Sequence, residues 1–183
     1  MTQILDPPLA AGSTLYPHDG FALSDVQAAE EFCLRGVDRE PDRRIEVRVA
    51  ADRSLRRMWL ATYAEEQVNA LLRLPPGWDG YRGRQLTQEA VAAAIDVLFA
   101  IADDMSLPPQ LFPLPDGGIQ LEWHAAGWDV EIEVDSVGSG YALATDAEGA
   151  VIADGEVTPG QTPTLTQVQD AVRRLSARLA GGR

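Results

Sequence analysis

Acidic side chains recur at every second position in two stretches of the chain that have the pattern of neighbouring strands. Residues 119–123 and 128–134 alternate apolar with polar residues, which is typical of a strand buried on one face. Four of the polar positions are acids, namely Glu122, Asp129, Glu131 and Glu133. Carboxylates gathered on one sheet face can bind a basic protein surface by charge complementarity or a divalent cation through oxygen ligands. The spacing therefore predicts an acidic site on one side of an antiparallel sheet.

The connection between these strands sets which acids face each other. A four-residue loop over 124–127 places Trp123 opposite Trp128 and keeps the apolar residues of both strands on one face. On the other face it places Glu122 opposite Asp129. Like charges opposed across two strands are destabilising, by about 0.2–1 kcal/mol, so an acidic row of this kind needs a physical reason.

Three interpretations of the acidic row stay open at this point. In the first, the face is fully solvated, and water and salt screen the charges. In the second, arginines cover the face, either Arg48 and its neighbours or those of the last helix, Arg173, Arg174 and Arg178. In the third, the face docks a basic protein partner or binds a divalent cation.

A metal site is an alternative use of the same acids. Asp79, Asp116, Glu122 and Asp129 together suit the oxygen preference of magnesium or calcium, although their spacing matches no EF-hand. General acid–base chemistry would have to use His124 with Glu122 or Asp129. No catalytic triad is recognisable, so the sequence favours a protein that is not an enzyme.

The loop over residues 74–81, here called the Trp78 loop, is a second candidate binding site. It carries Trp78 and Tyr81, and aromatic side chains on loops often serve recognition. The competing interpretation is structural: Trp78 fills the core where two long helices meet, and Asp79 with Gly80 makes the turn.

Composition limits the function further. The net charge is −13, with fifteen acids and no arginine or lysine between residues 85 and 172. A field of this sign repels a nucleic-acid backbone and favours basic partners. All fifteen basic residues are arginine, which excludes chemistry that needs a lysine. One cysteine, Cys33, and no apolar run of membrane length predict a cytoplasmic protein without membrane contact.

The order of periodic segments predicts an α+β fold. Residues 1–20 form an irregular N-terminal arm, and 21–183 form a single domain. Within the domain we expect helices over 25–35 and 54–74, from Thr87 onward, and from Thr162 onward. A short strand covers 44–50. The later strands form an antiparallel sheet of about four to five strands, a β-meander, with the helices packed on one face.

Two motifs resemble a family of small, uncharacterised bacterial proteins. The first is Leu-Pro-x-x-Trp-Asp-Gly-Tyr at residues 74–81, and the second is Asp-Gly-Gly-Ile-x-Leu-Glu-Trp at residues 116–123. The resemblance covers under half of the chain. It implies a unit of helices and sheet and no particular activity. Such proteins look like companions of mobile elements or of toxin and defence loci, which favours a partner-binding role.

These observations lead to one main hypothesis and two alternatives. The main hypothesis is a non-enzymatic, antitoxin-like accessory protein that binds a basic protein through the acidic sheet face or the Trp78 loop. The first alternative is a hydrolase or cation-binding domain that depends on a divalent cation. The second is a structural protein that assembles into homo-oligomers.

Overall fold

The structure, a computed structural model, describes residues 32–37, 44–49, 55–103, 105–158 and 162–181. It has three helices, α1 (Leu55–Leu72), α2 (Gln88–Ile101) and α3 (Pro163–Gly181). A two-stranded sheet pairs β1 (Phe32–Val37) with β2 (Arg44–Val49). The main sheet contains β3 (Gln110–Pro113), β4 (Ile119–Ala125), β5 (Trp128–Val134), β6 (Gly140–Thr145) and β7 (Val151–Val157).

The main sheet confirms the predicted α+β fold. Its strand order is β3-β4-β5-β6-β7, and each neighbouring pair is antiparallel. Each strand therefore pairs with the next strand in sequence, as in a β-meander. β3, which ends at Pro113, lies at one edge, where the missing N–H of a proline is tolerated.

Helices α2 and α3 cover one face of this sheet. Both contact β4 and β5, and α3 also contacts β6 and β7. The strand residues beneath them are buried, namely Ile119, Leu121, Trp123, Trp128, Val130, Ile132, Val134, Ala142, Ala144, Ala153 and Val157. The main core therefore lies between one face of the sheet and two helices, as the alternation of residues predicts.

The start of α2 follows from its predicted cap. The Thr87 hydroxyl accepts a hydrogen bond from the Ala90 N–H and donates one to the Ser136 carbonyl, so the cap also joins α2 to the β5–β6 turn. The helical spacing of apolar residues predicts a buried stripe of Val91, Ala94, Ile95, Leu98, Ile101, Ala102 and Met105, and all of these except Met105 are buried. Met105 was expected on that stripe but is 70% exposed, because α2 ends at Ile101.

Helix α1 connects the two sheets. The Asn69 amide donates to the Ile45 carbonyl and accepts from the Ile45 N–H, and the Glu65 carboxylate accepts from the Val47 N–H. Polar side chains of α1 thus satisfy backbone groups of β2 that would otherwise lack partners. On the opposite side, the Tyr63 hydroxyl donates to the Pro109 carbonyl.

The spacing of apolar residues predicts an inward face of α1 made of Leu55, Trp59, Tyr63, Val68, Leu71 and Leu72, and this prediction is wrong at the first turns. Leu55 is 85% exposed and Trp59 is 44% exposed. The inward residues are instead Leu60, Ala61, Ala64, Val68 and Leu72. Leu55 and Trp59 at the start of the helix lie outside this buried stripe.

The helix predicted over residues 25–35 is wrong where it can be compared with the structure. Phe32 to Arg35 belong to β1, which pairs with β2 along its whole length. Pairing with β2, the next strand in sequence, outweighs the local helix signals of this segment. Residues 1–31, including the predicted N-terminal arm, lie outside the described residues.

The turn between β4 and β5 is shorter than expected. It consists of Ala126 and Gly127 alone, so Trp128 pairs with Ala125, and Trp123 pairs with Val130 rather than with Trp128. Both turn residues have positive φ, 54° and 82°, as a two-residue type I′ turn requires. The register differs from the prediction by two residues, and a shift of two leaves every side chain on its predicted face.

Candidate functional site: the open face of the sheet

The side of the main sheet opposite α2 and α3, here called the open face, carries the predicted acids. Glu122 pairs with Glu131, Gln120 pairs with Glu133, and His124 pairs with Asp129. The expected pairing of Glu122 with Asp129 is therefore wrong, because the turn between β4 and β5 is two residues shorter than predicted. The observed register places the carboxylates of Glu122 and Glu131 directly opposite each other, at a spacing of about 4.5–5.5 Å between Cβ atoms.

The strands of the main sheet carry too little positive charge to balance these acids. β3 to β7 contain no arginine or lysine, and His124 is their one basic side chain. Its Nδ1 lies 3.4 Å from Asp129 Oδ1, and both side chains are substantially exposed. That distance is within ion-pair range, but the geometry forms no hydrogen bond, and Oδ1 is buried without a hydrogen-bond partner among the described residues.

Glu131 lies at the centre of the acidic group. Partial burial, followed by the charges of Asp129, Glu122 and Glu133, raises the pKa of the Glu131 carboxyl above its ordinary value. The nearby His124 acts in the opposite direction but does not compensate. The open face therefore holds negative charges that repel one another in the folded chain.

Strand β6 adds apolar side chains to the same face. Leu143 pairs with Glu131 and Tyr141 pairs with Glu133, so these residues share the face of the acids. They are 41% and 50% exposed, whereas their sequence neighbours Ala142 and Ala144 are fully buried on the covered face. An apolar strip thus runs along the middle of a polar surface.

Strand β7 adds a second line of acids beyond that strip. Asp154 pairs with Leu143, and Glu156 pairs with Tyr141. The Tyr141 hydroxyl donates to Asp154 Oδ1 at 2.5 Å, and this hydrogen bond, together with the Asp154 charge, raises the pKa of the Tyr141 phenol. These four residues were not among the predicted site residues, although the alternation in β6 and β7 was a usable signal for them.

The arginines of the last helix do not lie on the open face. α3 packs on the covered face, and Arg173 and Arg174 both pair with Asp170 of the same helix. The interpretation that arginines of α3 screen the acids is therefore wrong. The side chain of Arg48, the other arginine considered, lies outside the described part of the chain.

Hydrogen bonds of its own side chains hold the Trp78 loop in shape. The Trp78 indole donates to the Arg84 carbonyl at 3.1 Å and lies so close to Gly83 that a Cβ there would come within 2.7 Å of the indole nitrogen. Asp79 Oδ1 accepts from the Tyr81 and Gly83 N–H groups, and these hydrogen bonds hold the pKa of Asp79 below its ordinary value. Asp79 and half-buried Trp78 thus organise the loop.

Tyr81 is the one candidate of this loop that projects into solvent. Its side chain is 81% exposed, and the Arg82 guanidinium lies 5.6 Å from its ring centroid. The loop therefore presents one exposed aromatic side chain with a positive charge beside it.

The four acids considered for a metal site, Asp79, Asp116, Glu122 and Asp129, do not come together as one group. Asp116 belongs to the turn before β4, where its two carboxylate oxygens accept from the Gly118 and Ser136 N–H groups. His124 and Asp129 lie at the other end of β4, about 20 Å away at 3.3 Å per residue. Asp79 is engaged within the Trp78 loop.

Glu122 and Asp129 do lie together, with His124 as a third neighbour. One ligand atom from each of these residues lies within 4.8 Å of the other two. Two carboxylates and an imidazole form a mixed oxygen and nitrogen donor set, which suits a transition metal better than calcium.

No helix within the described ranges is long and apolar enough to span a bilayer. Comparison with known proteins assigns no relative to this fold or to the open face: the chain matches no protein-family model, no curated protein and no solved structure.

Proposed function

We propose that this protein is a non-enzymatic interaction domain, an accessory or antitoxin-like subunit, that binds a basic protein partner through the open face of its sheet. One observation carries the proposal: Glu122 and Glu131 oppose each other on a face whose strands contain no arginine or lysine.

The acids of this face are unfavourable for the fold by themselves. An opposed pair of like charges costs about 0.2–1 kcal/mol. Partial burial and, after it, the charges of the neighbouring acids raise the pKa of Glu131. Cationic side chains of a partner would relieve the repulsion, and the negative potential would increase the rate of encounter with a basic surface.

The apolar side chains complete a binding surface. Protein interfaces combine a desolvated centre with a polar rim. Here Tyr141 and Leu143 supply exposed apolar surface, and the acids of β5 and β7 lie on both sides of them. A purely solvated face would gain nothing from the half-exposed leucine.

The test is partner capture by the immobilised full chain. The variant Glu131→Arg/Glu133→Arg should lose the captured basic protein, while Glu66→Arg/Glu89→Arg should retain it. Both variants make the same change of charge, but Glu66 and Glu89 are exposed positions on α1 and α2. Equal capture by the two variants would refute the proposal, and thermal melts verify that both are folded.

Cation binding is the second candidate, because Glu122, His124 and Asp129 place three ligand atoms close together. In this alternative the protein is a cation-binding domain or a hydrolase that depends on the cation. Calorimetry of the full chain with magnesium, calcium, manganese and zinc separates the two functions, because the donor set includes an imidazole. Tight, saturable binding that His124→Ala abolishes would support the cation function, and absence of heat would eliminate it.

A further inference from the structure

We infer that the partner presents a cationic amphipathic α-helix to the open face and that this helix lies along β6. The inference rests on the proposed function and narrows it, since it specifies the shape of the basic partner and the place where it binds.

The open face is organised in stripes that follow the strands. β4 and β5 contribute the acids Glu122, Asp129, Glu131 and Glu133. β6 contributes the apolar side chains Tyr141 and Leu143, and β7 contributes Asp154 and Glu156. An apolar stripe thus has an acidic stripe on each side of it.

A complementary surface must have an apolar ridge with positive charges along both borders. An amphipathic helix has this arrangement when basic residues border its apolar stripe. Neighbouring strands are about 4.8 Å apart, so β5 and β7 are separated by about 9.6 Å. A helix with its side chains is about 10–12 Å in diameter, so a helix above β6 reaches the acids on both sides.

An extended segment fits this face less well. The side chains that a strand directs toward the sheet lie in a single line, since successive side chains alternate between its two sides. One line can match the apolar stripe or one acidic stripe, but it cannot place an apolar centre between two rows of cations. The width of the pattern therefore favours a helix.

The length of β6 sets the length of the helix. Its six residues extend about 20 Å at 3.3 Å per residue, which corresponds to about 13 residues of helix at 1.5 Å per residue. Helices already cover the opposite face of the same sheet, so the partner helix would complete a third layer.

The test uses two synthetic, fluorescently labelled peptides with identical composition and a length of about 14 residues. In the first, leucines form one helical stripe and arginines border it on both sides. In the second, the same residues are scrambled so that leucine and arginine no longer segregate on a helix. Fluorescence anisotropy measures the binding of each peptide to the full chain.

We expect the amphipathic peptide to bind at least about tenfold more tightly than the scrambled one, a difference of about 1.4 kcal/mol. Leu143→Gln and Tyr141→Gln should each reduce this preference, because they remove the apolar stripe. Glu131→Arg should weaken the binding of both peptides, and Glu66→Arg should weaken the binding of neither. All replaced side chains are exposed or half-buried, so the fold tolerates them.

The outcomes separate the two claims. If both peptides bind equally and Glu131→Arg weakens the binding of both, the claim that the partner is a helix is overturned, and the claim that it is basic is supported. If neither peptide binds, the basic partner is overturned as well. Tight binding of the amphipathic peptide that none of the open-face variants changes would place the site elsewhere and overturn the inference.

Discussion

The two faces of the main sheet are made by the same strands but differ in what determines their residues. On the covered face, Leu121 and Ile132 pair with each other beneath α2 and α3 and are completely buried. On the open face, Glu122 and Glu131 pair in the same strands and repel each other. Packing explains the residues of the covered face, whereas it does not explain the acids of the open face, and we therefore propose the open face as the functional surface.

The largest expected effect is on the covered face. Ile132→Ala removes a fully buried side chain and leaves a cavity between the sheet and the helices. We expect the free energy of unfolding to fall by about 2–5 kcal/mol. Urea denaturation measures this change, and a loss below about 1 kcal/mol would mean that the covered face is not the main core.

A smaller loss is expected where a polar group is buried on the covered face. The Trp123 indole donates to the Leu107 carbonyl at 2.8 Å, and Trp123→Phe removes that donor. The cost should be about 1–3 kcal/mol, because the carbonyl loses its partner. The same denaturation experiment tests it, with Phe112→Leu on the open face of β3 as a control that should change stability little.

The open face should respond with the opposite sign. Glu131→Gln removes a charge that Glu122 and its neighbours repel, so at neutral pH we expect a gain of about 0.2–1 kcal/mol, reduced by added salt. A loss of stability in this variant would show that Glu131 has a favourable partner on the face.

The pH dependence of this gain follows from the raised pKa of Glu131. The folded chain keeps this proton to higher pH than the unfolded chain, so the stability of the native protein falls as the pH rises above the ordinary value of 4.5. The variant should therefore match the native protein in acid and exceed it at neutral pH. Denaturation curves at several pH values verify the direction.

The smallest effect concerns the border between the apolar and acidic stripes. Asp154→Asn removes the charge beside the Tyr141 hydroxyl, so the raised pKa of this phenol should move down toward its ordinary value of 10.0. Both side chains are exposed, and stability should change by less than about 0.5 kcal/mol. Tyrosine titration by ultraviolet absorption measures the shift, and an unchanged titration would contradict the contact.

The two faces also show how far sequence patterns can predict a structure. Strict alternation in β4 and β5 assigned each side chain to its correct face, because the period of a strand is two residues. The register was wrong because the turn contains Ala126 in the left-handed region, where asparagine, aspartate or glycine is expected. The opposition of Glu122 and Glu131 could be found only from the coordinates.

Contacts between elements account for the other errors. β1 was predicted as part of a helix because local capping signals cannot reveal its pairing with β2. The apolar stripe of β6 was not assigned to the site, since a strand pattern does not tell which neighbour lies beside it. The resemblance of residues 74–81 and 116–123 to a bacterial family stays a prediction.

The proposal that the open face binds a basic helix is tested most directly by mapping where the amphipathic peptide binds on the full chain. Backbone amide resonances of an isotopically labelled sample would be recorded during titration with the peptide. We predict shifts concentrated in β5, β6 and β7, largest near Glu131, Leu143 and Asp154, with little change in α2. Shifts confined to α1 or the Trp78 loop, with β5 to β7 unchanged, would contradict the open face as the binding surface.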